Sequence, residues 1–421
     1  MSKKEKKLTR REFLKTGAKT TAVAGAVLAG GALMKPGRIF AGAEKATPGA
    51  EEKGNIIKVG LNVPLSGPVA YWGVCIDQAY RMAADHINTD GGVKIGDETY
   101  MIEIIVYDTK NTVPDARAGA TRMIHVDKVK YVVTQAAATM IGTEDVTNPN
   151  KVVLQAACWG YRERISSDYF YSFRSEMSDL ESGYASYPWM IENYPKIKTS
   201  AFIGPDDEDG YSCYEAHQWL CRDHGLKDVG KVYFAWETLD FYPIVTKALA
   251  MKPDMLDMSP VPPGITADMV KAAREMGFTG PIHSPAALET RTILEVAGEY
   301  ATDVVLPVTM EEPQTDLQAY VMDEAKARYG VFNALAGNYY HWLFSLKQAW
   351  ETAGTVEDTH AVAEALGNSR LENSFLGTVI YAGEEIYGVK RQSIYHCPIT
   401  LLKDGAAKLV DFRFPKLPSG Y

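Results

Sequence analysis

Residues 59–73 read VGLNVPLSGPVAYWG, and this stretch decides the fold. A short apolar strand, IKVGLNV over 57–63, stops at a proline and a Ser-Gly-Pro turn, and a helical pattern then runs from Val69 to Asn88. The turn delivers a tryptophan, Trp72, directly after the carboxyl end of the strand. Ligands of open parallel sheets bind outside that end of the strands, so this tryptophan is predicted to face a ligand.

The same succession of strand, turn and helix continues along the chain. Further strands are predicted at 101–108, 130–135, 151–156 and 170–174, and then at 199–204, 231–236, 254–259, 281–284 and 303–308. Strands that alternate with helices predict parallel sheets covered on both faces, and two such sets predict two lobes. Late helices at 316–329, 336–352 and 359–367, and the late strands LGTVIYA, SIYHCPITLL and AKLVDF, are expected to complete those lobes.

Two lobes of this kind would bring the ends of their strands together across a cleft. The residues that follow the first-lobe strands are Trp72, Ala138, Thr139, Cys158, Trp159 and Gly160. Those that follow the second-lobe strands include Tyr211, Trp236, Glu237, Ser259 and Ser284. These positions are the candidates for ligand contact.

Composition and charge narrow the class of protein. The chain has 421 residues, enough for two or three domains, and a net charge of −9. Ten Lys/Arg and only two Asp/Glu fall in the first 43 residues, so the rest of the chain is strongly acidic. This acidic charge argues against nucleic acid and anionic membranes as partners. The five cysteines form no CxxC, the eight histidines show no metal-binding spacing, and there is neither a GxGxxG nor a P-loop. We therefore expect no metal and no cofactor.

The first 43 residues resemble a twin-arginine export signal. Arg10 and Arg11 are followed by an apolar run over 20–34 that is too short and too rich in glycine to cross a bilayer. Small residues ending at Ala43 form a cleavage site, and 44–56 is expected to be a loose leader. No cysteine lies near the cut, so the sequence predicts a periplasmic protein with no lipid anchor.

Four segments, in order, resemble the first lobe of the Leu/Ile/Val-type periplasmic binding proteins, the type I solute receptors of ABC importers. They are IKVGLNVPLSGPVAYWG, AYRMAADHINTDGGVKIG, VYDTKNTVPDARAGATRMI and KYVVT. The SGPxAxWG turn, the HINxxGG element and a segment with Asp108, Pro114 and Ala118 occur at the family's spacing. The similarity weakens along the chain but extends from about Ile57 to Phe412.

The resemblance implies a two-lobed α/β fold, in which each lobe is a mostly parallel sheet covered by helices and a cleft separates the lobes. Lobe one would comprise 57–176 plus 307–385, and lobe two 177–306 plus 386–412. By the same resemblance the protein is a monomer without chemistry of its own. Its lobes close on a small ligand by hinge motion and present it to a membrane ABC permease.

The resemblance also implies how the ligand is held. Backbone N–H groups and hydroxyls of lobe one bind a carboxylate, an aromatic of the first loop packs on the ligand, and an acid of lobe two takes an ammonium. Carried over residue by residue, the aromatic is Trp72, the small hydroxyl position is Ala138 or Thr139, and the family's Gly-Ala-Thr becomes Cys158, Trp159 and Gly160. Tyr211 lies near the family's D-x-x-Y-G element. Glu237 and Ser284 are candidates through their place after second-lobe strands.

One departure from the family bears on the ligand. Amino-acid binders place a glutamate where this chain has Ala286 and Ala287, and a buried ammonium needs a charged partner. Glu237, or Asp207 and Asp209, are alternatives. The predicted ligand is a carboxylate-bearing apolar molecule, namely a branched-chain or aromatic amino acid or an aromatic or apolar acid without an amine.

Other interpretations stay open at this point. Arg162 or Arg164 could hold a carboxylate bidentately, or form a solvated charge pair on a loop. The protein could hand ligand occupancy to a membrane sensor rather than to a permease. An exported enzyme is a third class, although adjacent acids such as Asp206 and Asp207 are typical of a solvated loop.

Overall fold

The structure, a computed structural model, describes residues 55–67, 69–307, 310 and 312–418. They form two mostly parallel β-sheets with helices on their faces, which confirms the α/β fold expected from the sequence. The predicted export signal at 1–43, and all but the last two residues of the predicted leader, lie outside this range.

Among the described residues, sixteen strands build the two sheets. They are β1 (Asn55–Val63), β2 (Val93–Ile95), β3 (Glu98–Asp108), β4 (Tyr131–Gln135), β5 (Val153–Ala157), β6 (Ser172–Arg174), β7 (Thr199–Pro205), β8 (Lys227–Phe234), β9 (Met255–Met258), β10 (Ile282–His283), β11 (Val304–Pro307), β12 (Arg370–Ser374), β13 (Gly377–Ala382), β14 (Gln392–Tyr395), β15 (Cys397–Lys403) and β16 (Ala406–Arg413).

Helices connect and cover these strands. They are α1 (Ala70–Thr89), α2 (Val113–His125), α3 (Ala137–Thr147), α4 (Asp179–Asn193), α5 (Glu208–Asp223), α6 (Tyr242–Leu249), α7 (Pro263–Glu275), α8 (Thr290–Ala297), α9 (Asp316–Tyr329), α10 (Ala334–Ala353), α11 (Thr359–Gly367) and α12 (Glu384–Tyr387). Helices α3 and α4 were not expected from the sequence. Small residues leave α3 without a clear helical repeat of apolar side chains, and a proline lies inside α4.

The first sheet has the strand order β12-β13-β14-β6-β5-β4-β1-β3-β2. Its centre is parallel, and both β4 and β5 are buried along their whole length, as expected of strands covered on two faces. From β1 the chain goes first to β3 on one side and then to β4 on the other. The order therefore reverses between β1 and β4, and a crevice opens there at the carboxyl ends of the strands.

The second sheet has the order β16-β15-β11-β10-β9-β7-β8. Strands β7 to β11 are parallel, and β15 and β16 pair antiparallel at one edge. Here the order reverses between β7 and β9, since β8 lies on one side of β7 and β9 on the other. The loops after β7 and β9 thus occupy the same place in this sheet as the loops after β1 and β4 in the first.

Within the part of the chain that the structure describes, the strands change sheet three times, after β6, after β11 and after β14. The sequence SIYHCPITLL was expected to form one strand, but it divides at His396, with β14 in the first sheet and β15 in the second. The boundaries of the two lobes stay a prediction. Strand β14 lies beyond the boundary drawn at 385, in the part expected to belong to lobe two, yet it pairs with β13 and β6 of the first sheet. These crossings are the segments about which two lobes can hinge.

Candidate functional site

A cavity of about 200 Å³ lies where the two strand-order reversals face each other. Its walls come from the loops after β1, β4 and β5 of the first sheet and from those after β7, β8 and β9 of the second. Four carboxyl side chains reach these walls, whereas no Lys, Arg or His does so among the described residues. A ligand anion in this cavity must therefore be held by groups other than basic side chains.

Aromatic rings form much of the wall. Trp72 in the first turn of α1 is 8 % exposed, and its ring meets Trp236 of the second lobe edge to face, with centroids 6.5 Å apart. Trp159 after β5 and Tyr339 on α10 add further apolar surface. The indole of Trp236 is fixed because its Nε1 donates to Asp207 Oδ2 at 2.7 Å. The arrangement suits a flat or bulky apolar ligand.

Backbone N–H groups of the first lobe converge on one corner of the cavity. The carboxylate of Asp209, in the first turn of α5, accepts from Gly160 N at 2.6 Å and Trp159 N at 3.2 Å through Oδ1, and from Ala137 N at 3.2 Å through Oδ2. The Ala137 N–H lies at the start of α3, where the helix dipole also favours an anion. This corner therefore binds a carboxylate, and in this structure the carboxylate belongs to the protein.

Local backbone geometry explains why these donors are free to converge. Ala136 has φ of 69°, a left-handed conformation that ends β4 and turns the chain into α3. Its own N–H donates to Ala157 O at 2.9 Å, which leaves the N–H of Ala137 directed at the cavity. Gly160 has no side chain at a point where a Cβ would lie 3.0 Å from Asp209 Oδ1. A small residue is therefore needed for the close approach.

Two carboxyl groups of the cavity have raised pKa values. Burial raises the pKa of Asp209 to about 6, together with the charge of Asp207, although its three backbone N–H bonds act in the opposite direction. Burial also raises the pKa of Glu176 to about 8; hydrogen bonding to Trp159 and Tyr339 offsets part of this effect. Glu176 follows β6, where the chain first leaves the first sheet, and its side chain is protonated at neutral pH.

Five of the residues expected at the ligand are placed at the cavity. Trp72, Ala138, Cys158 and Trp159 line it, and Gly160 contributes the N–H group described above. The Cys158 thiol is buried, which raises its pKa well above its usual range. It lies 3.7 Å from Asp209 Oδ1. A neutral thiol at this position acts as a small apolar group rather than as a nucleophile.

Four expected residues do not line the cavity. Thr139 turns its hydroxyl back to the carbonyls of Gln135 and Ala136 and is fully buried. Tyr211 is 42 % exposed, and its hydroxyl donates to Asp206 Oδ1 at 2.7 Å.

Glu237 and Ser284 also lie outside the cavity. Glu237 is exposed beyond the end of β8. Ser284 is buried, with hydrogen bonds to Thr266 Oγ1 at 3.1 Å and Met258 O at 3.2 Å. All four were selected by their place after a strand, which does not fix the direction of a side chain.

The two arginines considered for a ligand carboxylate are paired with protein groups. Arg162 contacts Asp179 at 3.3 Å and donates to Ser212 O at 2.9 Å. Arg164 contacts Glu144 at 2.9 Å. Both guanidinium groups are therefore structural and lie outside the cavity wall.

Several residues of the site had no clear sequence signal. Asp209 was considered only as an ammonium partner, and its contacts across the cleft were not expected. Glu176 lies in the first crossing segment, and Tyr339 in the middle of a long helix, where an aromatic is ordinarily core. The acidic run DDEDG was the one available hint, because a run of acids before a helix places carboxylates near its N-terminus.

Neither a metal cluster nor a helix able to span a membrane is present among the described residues. No group of three or more His, Cys, Asp or Glu side chains is arranged to hold a metal ion there. None of the described helices combines the length and apolar character needed to cross a membrane. All five cysteines are buried, and no disulfide joins the described segments.

Known proteins share both the sequence pattern and the fold. Residues 56–394 match the family model described as periplasmic binding protein. The Leu/Ile/Val-binding protein BraC3 of Rhizobium johnstonii is 21% identical over 330 residues, which cover 77% of this chain and 87% of that protein.

Solved structures agree with this assignment. A leucine-binding protein from Thermotoga maritima superposes with a TM-score of 0.72 at 19% identity, covering 85% of this chain and 99% of that one. An ABC transporter solute-binding protein from R. palustris, in complex with benzoate, also gives a TM-score of 0.72 at 15% identity, covering 87% of this chain and 99% of that one. The type I fold predicted from the sequence, with two lobes and a cleft between them, is confirmed.

Proposed function

The chain belongs to the periplasmic binding protein family, a family of non-enzymatic solute receptors, and we propose that it is the solute-binding component of an ABC uptake system. Its ligand, in this proposal, is a small apolar molecule that bears a carboxylate. The lobes capture it by hinge closure and present it to the membrane permease. We further propose that residues 1–43 are a twin-arginine signal removed near Ala43, and that the exported protein is a periplasmic monomer without a lipid anchor.

One observation carries the carboxylate assignment. Three backbone N–H groups of the first lobe already hold a carboxylate, that of Asp209, at distances of 2.6 to 3.2 Å. The same geometry would hold the carboxylate of an external ligand, with no basic side chain required. The ligand contacts that we propose in the first lobe are the N–H groups of Ala137, Trp159 and Gly160.

The rest of the ligand would occupy the aromatic part of the cavity. Trp72 and Trp159 offer flat walls, and Leu288 and Tyr339 close the space between them. Burial of such an apolar body stabilises the complex by roughly 25 cal/mol for each Å² removed from water. The relatives named above bind leucine, isoleucine and valine in one case and benzoate in another, and both classes combine a carboxylate with an apolar body.

The cavity also contains groups that distinguish amino acids from acids without an amine. Asp207 and Glu208 bring carboxyl groups to the second-lobe wall, and an ammonium adjacent to the ligand carboxylate would lie within their electrostatic reach. An aromatic acid without an amine gains nothing from these charges. The two ligand classes therefore differ in the second lobe and share the first.

Thermal unfolding of the chain from Glu44, refolded to remove carried-over ligand, tests the proposal. Leucine, valine, phenylalanine, benzoate and short dicarboxylates are added in turn, and glucose and lysine serve as controls. A ligand at about 100 times its Kd adds roughly 2.7 kcal/mol to the free energy of unfolding, which raises the midpoint by several degrees. An increase with the branched or aromatic compounds supports the proposal, whereas no increase with any carboxylate contradicts it.

A further inference from the structure

Asp209 occupies the carboxylate site of the first lobe although it belongs to the second lobe. We propose that Asp209 is an internal ligand of this receptor, which closes the empty cleft and determines specificity because an external carboxylate must displace it to bind. The proposal rests on the function proposed above, since it assumes a ligand that carries a carboxylate. The occupant of the site in the loaded receptor would be that ligand, and Asp209 would leave the backbone N–H groups.

The hydrogen bonds of Asp209 show that it is not simply a cap of its own helix. The start of α5 is already capped by Asp207, whose Oδ1 accepts from Gly210 N at 2.9 Å. The three N–H groups that bind Asp209, by contrast, follow strands β4 and β5 of the other sheet. A carboxylate bound only to the opposite lobe contributes to lobe closure, and its removal leaves α5 with its cap.

Besides Asp209, a pair of tryptophans also joins the two lobes across the cleft. Trp72 of the first lobe and Trp236 of the second meet edge to face, and Asp207 holds Trp236 in place. The lobes thus touch through a polar and an aromatic contact, and Trp72, Trp236 and Asp209 of these contacts line the cavity of about 200 Å³. The protein has the means to close without an external ligand.

Asp209 is held weakly enough to be displaced. Three backbone N–H bonds ordinarily lower the pKa of a carboxylate, yet burial and the neighbouring charge of Asp207 raise the pKa of Asp209 to about 6. Its ionised form is therefore less favourable in the cleft than in water. The residue is half-buried and lies in the first turn of α5, so a rotation about its side-chain bonds takes it toward solvent.

This competition selects among carboxylates. A small acid such as acetate offers the N–H groups nothing that Asp209 does not already provide. An acid with an apolar body also removes surface from water against Trp72 and Trp159, and this additional gain allows it to replace Asp209. The receptor is thereby expected to discriminate against short hydrophilic acids that would otherwise fit the same N–H groups.

The test compares Asp209→Ala and Asp209→Asn with the unsubstituted chain, and Asp206→Asn serves as the matched control. Asp206 is an exposed acid of the same loop whose carboxylate accepts from Tyr211 at 2.7 Å and does not reach the first lobe. Benzoate, phenylalanine and acetate are the probes in calorimetric titrations. Small-angle scattering of each ligand-free chain reports its radius of gyration, and circular dichroism confirms that each variant is folded.

We expect Asp209→Ala to bind benzoate or phenylalanine about tenfold more tightly, because the binding-competent state no longer competes with an internally closed one. Its ligand-free radius of gyration should increase, acetate should gain measurable affinity, and Asp206→Asn should match the unsubstituted chain. Asp209→Asn, which keeps an acceptor oxygen but loses the charge, should fall between the two.

Two results would overturn the proposal. One is an Asp209→Ala chain that binds these acids equally or more weakly. The other is a ligand-free radius of gyration that the substitution leaves unchanged. If none of the probes binds to any of the chains, the assigned ligand class fails, and the scattering comparison alone decides whether Asp209 closes the cleft.

Discussion

The stability of this protein should depend on pH through Glu176, a carboxyl group buried in the cavity wall. Its side chain is 7 % exposed, and the hydroxyl of Tyr339 donates to its Oε1 at 3.4 Å. Burial raises its pKa from 4.5 to about 8. The substitution Glu176→Gln keeps the shape and an acceptor oxygen but cannot ionise, so it isolates the effect of the charge.

The direction of this pH dependence follows from how tightly each state binds the proton. The folded chain binds the Glu176 proton more tightly than the unfolded chain, so the contribution of this group to stability is fully present below pH 4.5 and is lost as the pH rises through about 8. One pKa unit corresponds to about 1.4 kcal/mol, so the unsubstituted chain should lose roughly 4 kcal/mol relative to Glu176→Gln between about pH 5 and pH 9. Groups that titrate identically in both chains cancel in this difference.

Urea unfolding of both chains at several pH values between 5 and 9 measures the difference directly. Glu385→Gln, which removes a carboxyl group from the exposed surface, is the matched control for the chemical change itself. A difference between the unsubstituted chain and Glu176→Gln that stays constant across this range would refute the assignment of Glu176 as a buried neutral acid.

Three further substitutions test other parts of the account. Trp72→Ala removes a cavity wall and the contact with the second lobe, and should weaken binding of benzoate or phenylalanine tenfold or more in calorimetric titrations, whereas Trp72→Phe should retain most of the affinity. Gly160→Ala places a Cβ 3.1 Å from a backbone oxygen and 3.0 Å from the position of Asp209 Oδ1, where an oxygen of the ligand carboxylate is proposed to bind. It should therefore lower the affinity for carboxylates while changing the unfolding midpoint by only a few degrees; an equal affinity would show that the ligand carboxylate does not bind at this N–H. Asp257→Asn removes the charge of a buried carboxylate that contacts His217 at 2.9 Å and His283 at 2.8 Å. It should lower the free energy of unfolding by roughly 3–5 kcal/mol in urea titrations. No measurable loss would show that the two imidazoles are neutral and independent of this carboxylate.

Much of the fold was predictable because the chain repeats one simple pattern. Short apolar strands such as β4 and β5 are buried on both faces, so they appear in the sequence as continuous apolar runs between turns. Once these strands are recognised as parallel, their carboxyl ends share one edge of the sheet. This is why Trp72 and Trp159, far apart in sequence, were both expected at the cleft.

The direction of individual side chains could not be predicted in the same way. Thr139 and Ala138 are neighbours, yet the first turns into its own helix and the second faces the cavity, because the left-handed backbone at Ala136 sets the start of α3. Among the acids of DDEDG, sequence alone does not indicate that Asp207 caps the helix and Asp209 crosses the cleft. Such choices depend on the relation between two lobes, which no local pattern encodes.

The most direct test of the central claim is a crystal structure with the acid that raises the unfolding midpoint most. We expect the ligand in the cavity between the two sheets, with its carboxylate within hydrogen-bond distance of the N–H groups of Ala137, Trp159 and Gly160 and its apolar body against Trp72. Asp209 should then have moved off these donors. A ligand bound outside this cavity, or one whose carboxylate lies elsewhere while Asp209 keeps its three hydrogen bonds, would contradict the account.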